Sequence, residues 1–188
     1  MKIQTCFRKA VLLLALIAVC CSFVGCGNPP TNMSPLEQAE GYYRYEAIFL
    51  HKEDVVAAFR TASDCFPNYE YVPDAFHVTT QVNPEPEHES LYGSPVTVHI
   101  IGYISGAVQG PEKDLISENE GFLVEVSSAD EDMQSLLDRI NRVWHITGSY
   151  TGAAKYTNQL DFSNAKPIDL TIEGVFGIAD TTGMLILE

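Results

Sequence analysis

Two four-residue runs constrain this chain more than anything else in it: Phe76-His77-Val78-Thr79 and Trp144-His145-Ile146-Thr147. Each reads aromatic, histidine, β-branched apolar residue, threonine, and each follows a helical pattern. On a strand successive side chains alternate between faces, so His77 shares a face with Thr79, and His145 with Thr147. Val78 and Ile146 then point into the opposite layer. A fold that accepts this sequence must place two such strands at equivalent points.

The surroundings of the two runs repeat as well. Residues 43–50 (YRYEAIFL) are aromatic-rich and predict a strand. Residues 51–65 carry Val55, Val56 and Phe59 at helical spacing. Residues 75–82 and 95–105 predict two more strands. In the second half, residues 121–127 predict a strand. Ser128 and Glu131 form a capping box, and Met133, Leu136, Leu137, Ile140 and Val143 form one apolar helical stripe. Residues 144–150 and 169–178 follow as strands, with a further strand at 184–188. Residues 83–90, 110–120 and 152–166 read as loops. The repeat is one of pattern, not of letters. It predicts an α+β domain over residues 42–188: two pseudo-symmetric β-α-β-β lobes, sheets lining a central cleft and helices outside.

The first 25 residues read as a leader. Lys2, Arg8 and Lys9 precede an apolar run at 11–19 that is too short for a permanent membrane span. Phe23-Val24-Gly25-Cys26 then resembles a lipobox, with Gly25 as the small residue before the cut and Cys26 as the thiol that takes the lipid. Phe23 departs from the usual leucine. Residues 26–41, with the polar, Pro-rich NPPTNMSP at 28–35, read as anchor and tether. Acyl chains on Cys26 hold a protein at a membrane surface without a spanning helix. The expected location is a cell membrane or outer membrane, facing away from the cytoplasm. An uncleaved anchor, or plain secretion with Cys26 free, is the other reading of the same residues.

Cleavage there leaves 163 of the 188 residues, room for one real core. The whole chain has 25 acidic and 11 basic residues; the leader holds three of the basic ones and no acid, so the mature part is near −17. Such a surface repels long nucleic acid, whose binding depends on neutralised phosphates. Only Cys65 remains as a thiol outside leader and anchor. That excludes an internal disulfide and a cysteine zinc site, and Cys65 reads as a small buried apolar residue. Nothing in the sequence calls for an oligomer, so a monomer is expected.

If the halves pack about a pseudo-twofold axis, two imidazoles and two hydroxyls converge. Histidine titrates near neutrality, so one ring can take a proton from water while the other gives one to a leaving oxygen. Two threonine hydroxyls can donate hydrogen bonds to non-bridging phosphate oxygens. This set needs no metal and no cofactor.

Paired H-x-T motifs in strands, here His77-Val78-Thr79 and His145-Ile146-Thr147, resemble the signature of the 2H phosphoesterase superfamily. Its members include RNA 2′,3′-cyclic phosphodiesterases, 2′-5′ RNA ligase-like proteins and the brain cyclic nucleotide phosphodiesterase. The resemblance spans residues 43–188. It implies His77 and His145 as the acid–base pair, Thr79 and Thr147 as phosphate contacts, and opening of a cyclic phosphate to leave a 2′-phosphate. The motifs are symmetric; the reading takes His77 as acid and His145 as base. Gly148 departs from the pattern, which usually has an apolar residue there, and export and acidity are also unusual. The implied partner is a small phosphodiester or cyclic nucleotide. A surface lipoprotein that binds a ligand on this fold without turning it over is the alternative.

Other residues carry weaker signals. Tyr92, Tyr103 and Tyr150 are candidates to stack on a base; sheet packing is the plain alternative for each. His99 reads as structural; His88 among Glu85, Glu87 and Glu89 could bind a metal loosely, but such a run reads first as a solvated loop. Arg139 and Arg142 read as exposed.

Overall fold

The computed structural model describes residues 44–180 apart from 64, 85–87, 110–115 and 153–156. All of these lie within the compact unit Asn32–Glu188. The leader, Cys26, the tether and the expected strand at 184–188 lie outside the described residues.

The domain is α+β. In chain order the elements are β1 (Arg44–Leu50), α1 (Lys52–Ala62), β2 (His77–Val82), β3 (Pro95–Gln109), β4 (Ile116–Ser127), α2 (Glu131–Arg139), β5 (His145–Tyr150) and β6 (Lys166–Asp180). The six strands form one antiparallel sheet in the order β2-β1-β6-β3-β4-β5. Exchanging β1, β2 and β3 with β4, β5 and β6 turns this order into its own reverse. The sheet topology therefore has a twofold relation passing between β3 and β6. Each half also lends its last strand to the other, since β6 pairs with β1 while β3 pairs with β4.

Both helices cover one face of the sheet. From α1, Val55, Ala58, Phe59 and Ala62 are buried, and from α2, Met133, Leu136 and Leu137. They pack with Val78, Val96, Val98, Ile100, Phe122, Val124, Ile146 and Phe176 in a single core. Each of the larger side chains gains about 2 kcal/mol over its exposed state. Val78 and Ile146, the middle residues of the two motifs, are fully buried here, as strand alternation requires.

The elements differ in detail from the sequence expectation. Asp130, not Ser128, caps α2: its side chain accepts from the Met133 amide at 2.9 Å. Ser128 instead donates through Oγ to the Pro95 carbonyl at 2.9 Å, and its amide donates to Gln134 Oε1 at 2.8 Å. The helix stops at Arg139 because the chain must reverse to start β5. Ile140 is already extended, and Val143 leaves the apolar stripe and is 57% exposed. The charged stretch expected as a loop at 110–120 contributes its last five residues to β4, where Ser117 pairs with Val108 and Ile116 with Gln109. Of these five, Ile116 and Glu118 face outward, while Ser117, Asn119 and Glu120 are buried and tolerated because each is hydrogen-bonded. Cys65 is exposed and free rather than buried, since it follows the end of α1 beyond the helix's packed face.

Candidate functional site

Strand pairing sets the two motifs in equivalent frames. His77 lies opposite Phe49 and Thr79 opposite Ala47. His145 lies opposite Leu123 and Thr147 opposite Gly121. In both halves an apolar side chain flanks the histidine and a very small residue faces the threonine. Paired residues share a face, so both motifs look away from the helices.

The two motif strands end the hydrogen-bonded order, yet Cα atoms of β2 and β5 come within 8 Å of each other. The sheet curls until its outer strands meet. Arg142, just before β5, spans the junction: its Nη1 donates to the Thr80 carbonyl of β2 at 3.1 Å. Arg142 is exposed, as its sequence neighbours predict, but spacing alone carries no signal for this link.

The two imidazoles are held alike. His77 Nδ1 lies 3.1 Å from the Ala75 carbonyl, and His145 Nδ1 lies 3.3 Å from the Val143 carbonyl. A carbonyl only accepts, so each Nδ1 carries hydrogen and donates. Nε2 is then the atom left to exchange protons. The His77 ring packs on Tyr45 at 5.0 Å and Phe49 at 6.0 Å between centroids; Tyr45, Ala47, Phe49 and Ala179 form a second buried cluster on this face. The His145 ring lies 6.1 Å from Phe162, on the 3-10 turn Phe162–Asn164. Burial lowers the proton affinity of His145 below the usual histidine value. The Val143 carbonyl opposes that shift, and the positive charge of Arg142 adds to it.

Both outer ladders break just past the threonine of the motif, between Glu46 and Ala47 in one half and between Asn119 and Gly121 in the other. At each break sits a buried glutamate on the helix side, Glu46 and Glu120, at 1% and 0% exposure. Glu46 accepts from the His88 amide at 2.7 Å and from Tyr92 Oη at 3.0 Å, and meets His88 Nδ1 at 2.8 Å. Glu120 accepts from Asn68 Nδ2 at 2.6 Å, from Tyr103 Oη at 2.9 Å, and from the backbone and hydroxyl of Ser149. A carboxylate in this setting is stable only because donors surround it. An acid inside an otherwise apolar strand run, as in YRYEAIFL, was the available sequence signal.

These contacts correct several expectations. His88 is not part of a free solvated loop, since it is tied to Glu46. Tyr92 and Tyr103 do not join the motif face, and Tyr150, paired with Asn119 on the side of Gly121 and Thr147, is closed off from solvent. Tyr150 is fully buried and stacks on Tyr71 at 5.6 Å. Tyr103 packs with Phe59 and Phe122 in the helix layer, and Tyr92 with Phe176. Each spends its polar end or its ring on packing, so none is placed to stack on a base beside the histidines. His99 Nε2 meets Asp169 at 2.8 Å across β3 and β6.

A cleft of about 600 Å³ lies over the Glu120 network, lined by Ser63, Asn68, Tyr69, Tyr103, Ser105 and Lys166. It belongs to the helix side and includes neither histidine. Among the described residues no three metal-ligating side chains come together, and no helix is long and apolar enough to cross a membrane.

Gly148, the departure from the H-x-T pattern, has a steric cause. A Cβ there would stand 2.5 Å from Phe59 Cζ and 2.8 Å from Glu120 Cγ. Phe59 of α1 fills the space that a side chain at 148 would take.

Comparison with family models, curated proteins and solved structures returns no match.

Proposed function

We propose that this protein is a lipid-anchored phosphoesterase of the 2H type, facing away from the cytoplasm, that opens a small cyclic phosphodiester by two-histidine acid–base catalysis. The observation that carries the reading is the equivalent hold on His77 and His145, each donating through Nδ1 to the carbonyl two residues upstream. Both present Nε2 from strands whose Cα atoms approach within 8 Å. The two β-α-β-β halves act as lobes, with the motif strands lining the cleft between them.

His145 is the base and His77 the acid. The neutral His145 Nε2 takes a proton from water as its oxygen attacks phosphorus. The bond from phosphorus to one ribose oxygen breaks, and His77 Nε2–H protonates that oxygen. Thr79 and Thr147 donate to the non-bridging oxygens and hold the phosphate between the two rings. A lowered proton affinity keeps His145 neutral near pH 7, which suits a base. The acidity of the chain favours a mononucleotide or a short end over long nucleic acid.

The test is hydrolysis of 2′,3′-cyclic mononucleotides by the full chain in detergent, with EDTA present, beside His77→Ala and His145→Ala. Turnover that resists EDTA and falls at least about 100-fold in each variant supports the mechanism. A 2′-phosphate product supports the family resemblance. Tight binding of the same nucleotides without turnover points instead to a ligand-binding lipoprotein.

A further inference from the structure

The cleft over the Glu120 network lies on the helix side of the sheet, apart from both histidines. Three parts of the chain line it: Ser63, Asn68 and Tyr69 after the end of α1, Tyr103 and Ser105 on β3, and Lys166 at the start of β6. Tyr103 and Lys166 are register partners, so their side chains share a face. All six carry a polar side-chain group; Ala62 completes the lining. We propose that this cleft binds a small neutral saccharide. The proposal does not depend on the phosphoesterase reading.

The polar groups are set in place by the fold itself. Fully buried Glu120 accepts from Asn68 Nδ2 at 2.6 Å and from Tyr103 Oη at 2.9 Å. Asn68 Nδ2 also reaches Ser63 Oγ at 3.1 Å and Tyr103 Oη at 3.2 Å, and the Asn68 backbone amide donates to Ser149 Oγ at 3.1 Å. With Nδ2 so engaged, Asn68 Oδ1 accepts from no described residue and remains an acceptor for a ligand. The Lys166 ammonium is tethered to the Ala62 carbonyl at 3.1 Å. It makes no ion pair among the described residues, so its other hydrogens are donors for a ligand. Groups fixed in this way bind at a low ordering cost.

Their chemistry selects the ligand. An apolar or flat aromatic molecule would displace water from these groups and leave them without partners. Sugar hydroxyls each donate and accept, so they can return the bonds that water made. Lys166 and Glu120 offset one another in charge, and the chain as a whole carries −14, which favours a neutral molecule over an anion. A volume of about 600 Å³ is that of a small-molecule site and suits a mono- or disaccharide.

The experiment is a set of ¹H–¹⁵N NMR titrations of the full chain, held in micelles of a detergent without a sugar headgroup. The probes are glucose, galactose, N-acetylglucosamine and maltose, beside glucuronate and inorganic phosphate. At least one neutral sugar is expected to shift the Asn68 side-chain amide and the Tyr69 and Ser105 backbone amides saturably, with a Kd of about 1 mM or tighter. Lys166→Ala and Asn68→Ala should each weaken that binding about fivefold or more. Asn68→Ala also disturbs the Glu120 network, whereas Lys166→Ala changes an exposed side chain and keeps the comparison clean. No saturable shift at the cleft from any of the four neutral sugars, up to about 20 mM, would overturn the proposal. So would an unchanged affinity in Lys166→Ala. Tighter binding of glucuronate or phosphate than of every neutral sugar would overturn it as well, because that marks an anion site.

Discussion

His77 and His145 are held by the same device, a hydrogen bond from Nδ1 to the carbonyl two residues back in the chain, at 3.1 and 3.3 Å. The hold selects a tautomer. Near pH 8, ¹⁵N shifts of both rings should report Nδ1–H with Nε2 bare. An Nε2–H tautomer at either position would remove that ring from the proposed proton chemistry.

The environment of His145 predicts a pH dependence of stability. Burial holds its folded-state proton affinity below the unfolded value near 6.5, with Arg142 adding to the shift. Between the lowered value and about 6.5 the unfolded chain binds more protons than the folded one, so stability rises with pH through that window. His145 therefore contributes a loss of stability as pH falls from 7.5 to 5. Urea unfolding of the parent and of His145→Asn at both pH values should show a smaller pH difference in the variant. Equal differences would mean that the ring titrates normally.

Gly148→Ala should destabilise by roughly 1–3 kcal/mol, the cost of overpacking a filled core, since the new Cβ meets Phe59 and Glu120. Thermal unfolding reads this directly. A combined Gly148→Ala, Phe59→Leu variant should recover part of the loss. Failure to recover would place the conflict on the Glu120 side.

Glu120→Ala should cost on the order of 3 kcal/mol, because the Asn68, Tyr103 and Ser149 donors lose their shared acceptor in the interior. Glu120→Gln keeps the shape but turns one acceptor into a donor, and should lie between. Denaturant midpoints that rank parent, Gln, Ala in falling order agree with a structural carboxylate. A parent-like Ala variant would not.

On the proposed anchoring, Cys26→Ser should abolish lipid attachment. Mass spectrometry of the mature chain is expected to lose the acyl mass, and cell fractionation to shift the protein out of the membrane pellet. Retention in the pellet would favour an uncleaved leader as the anchor.

Much of this architecture was legible from spacing. The order of strands and helices, the repeat of the halves and the burial of Val78 and Ile146 follow from periodicity, because one face of each element must leave water. What spacing did not reveal is where polar groups find partners. Glu46 and Glu120 are acids in buried strand positions, and only the fold brings His88, Tyr92, Asn68 and Tyr103 to them. Arg142 reads as surface from its neighbours, yet its guanidinium reaches a strand 62 residues earlier. Asp130 displaced Ser128 as helix cap because the Ser128 hydroxyl is engaged with Pro95. Tyr103 and Tyr150 were read for their rings, but their surroundings in the sheet decided their use.

The exchange of last strands between the halves bears on how the chain can be made. β1 has β6 as one neighbour, and Arg44 pairs with Asp180, so β1 waits for β6, the last of the described strands. Neither half can complete its share of the sheet alone, and a ribosome-bound fragment ending before β6 lacks the strand between β1 and β3. Such a chain stays open until β6 has been made. On the export route proposed above, that delay would keep the polypeptide slack enough to pass a membrane pore.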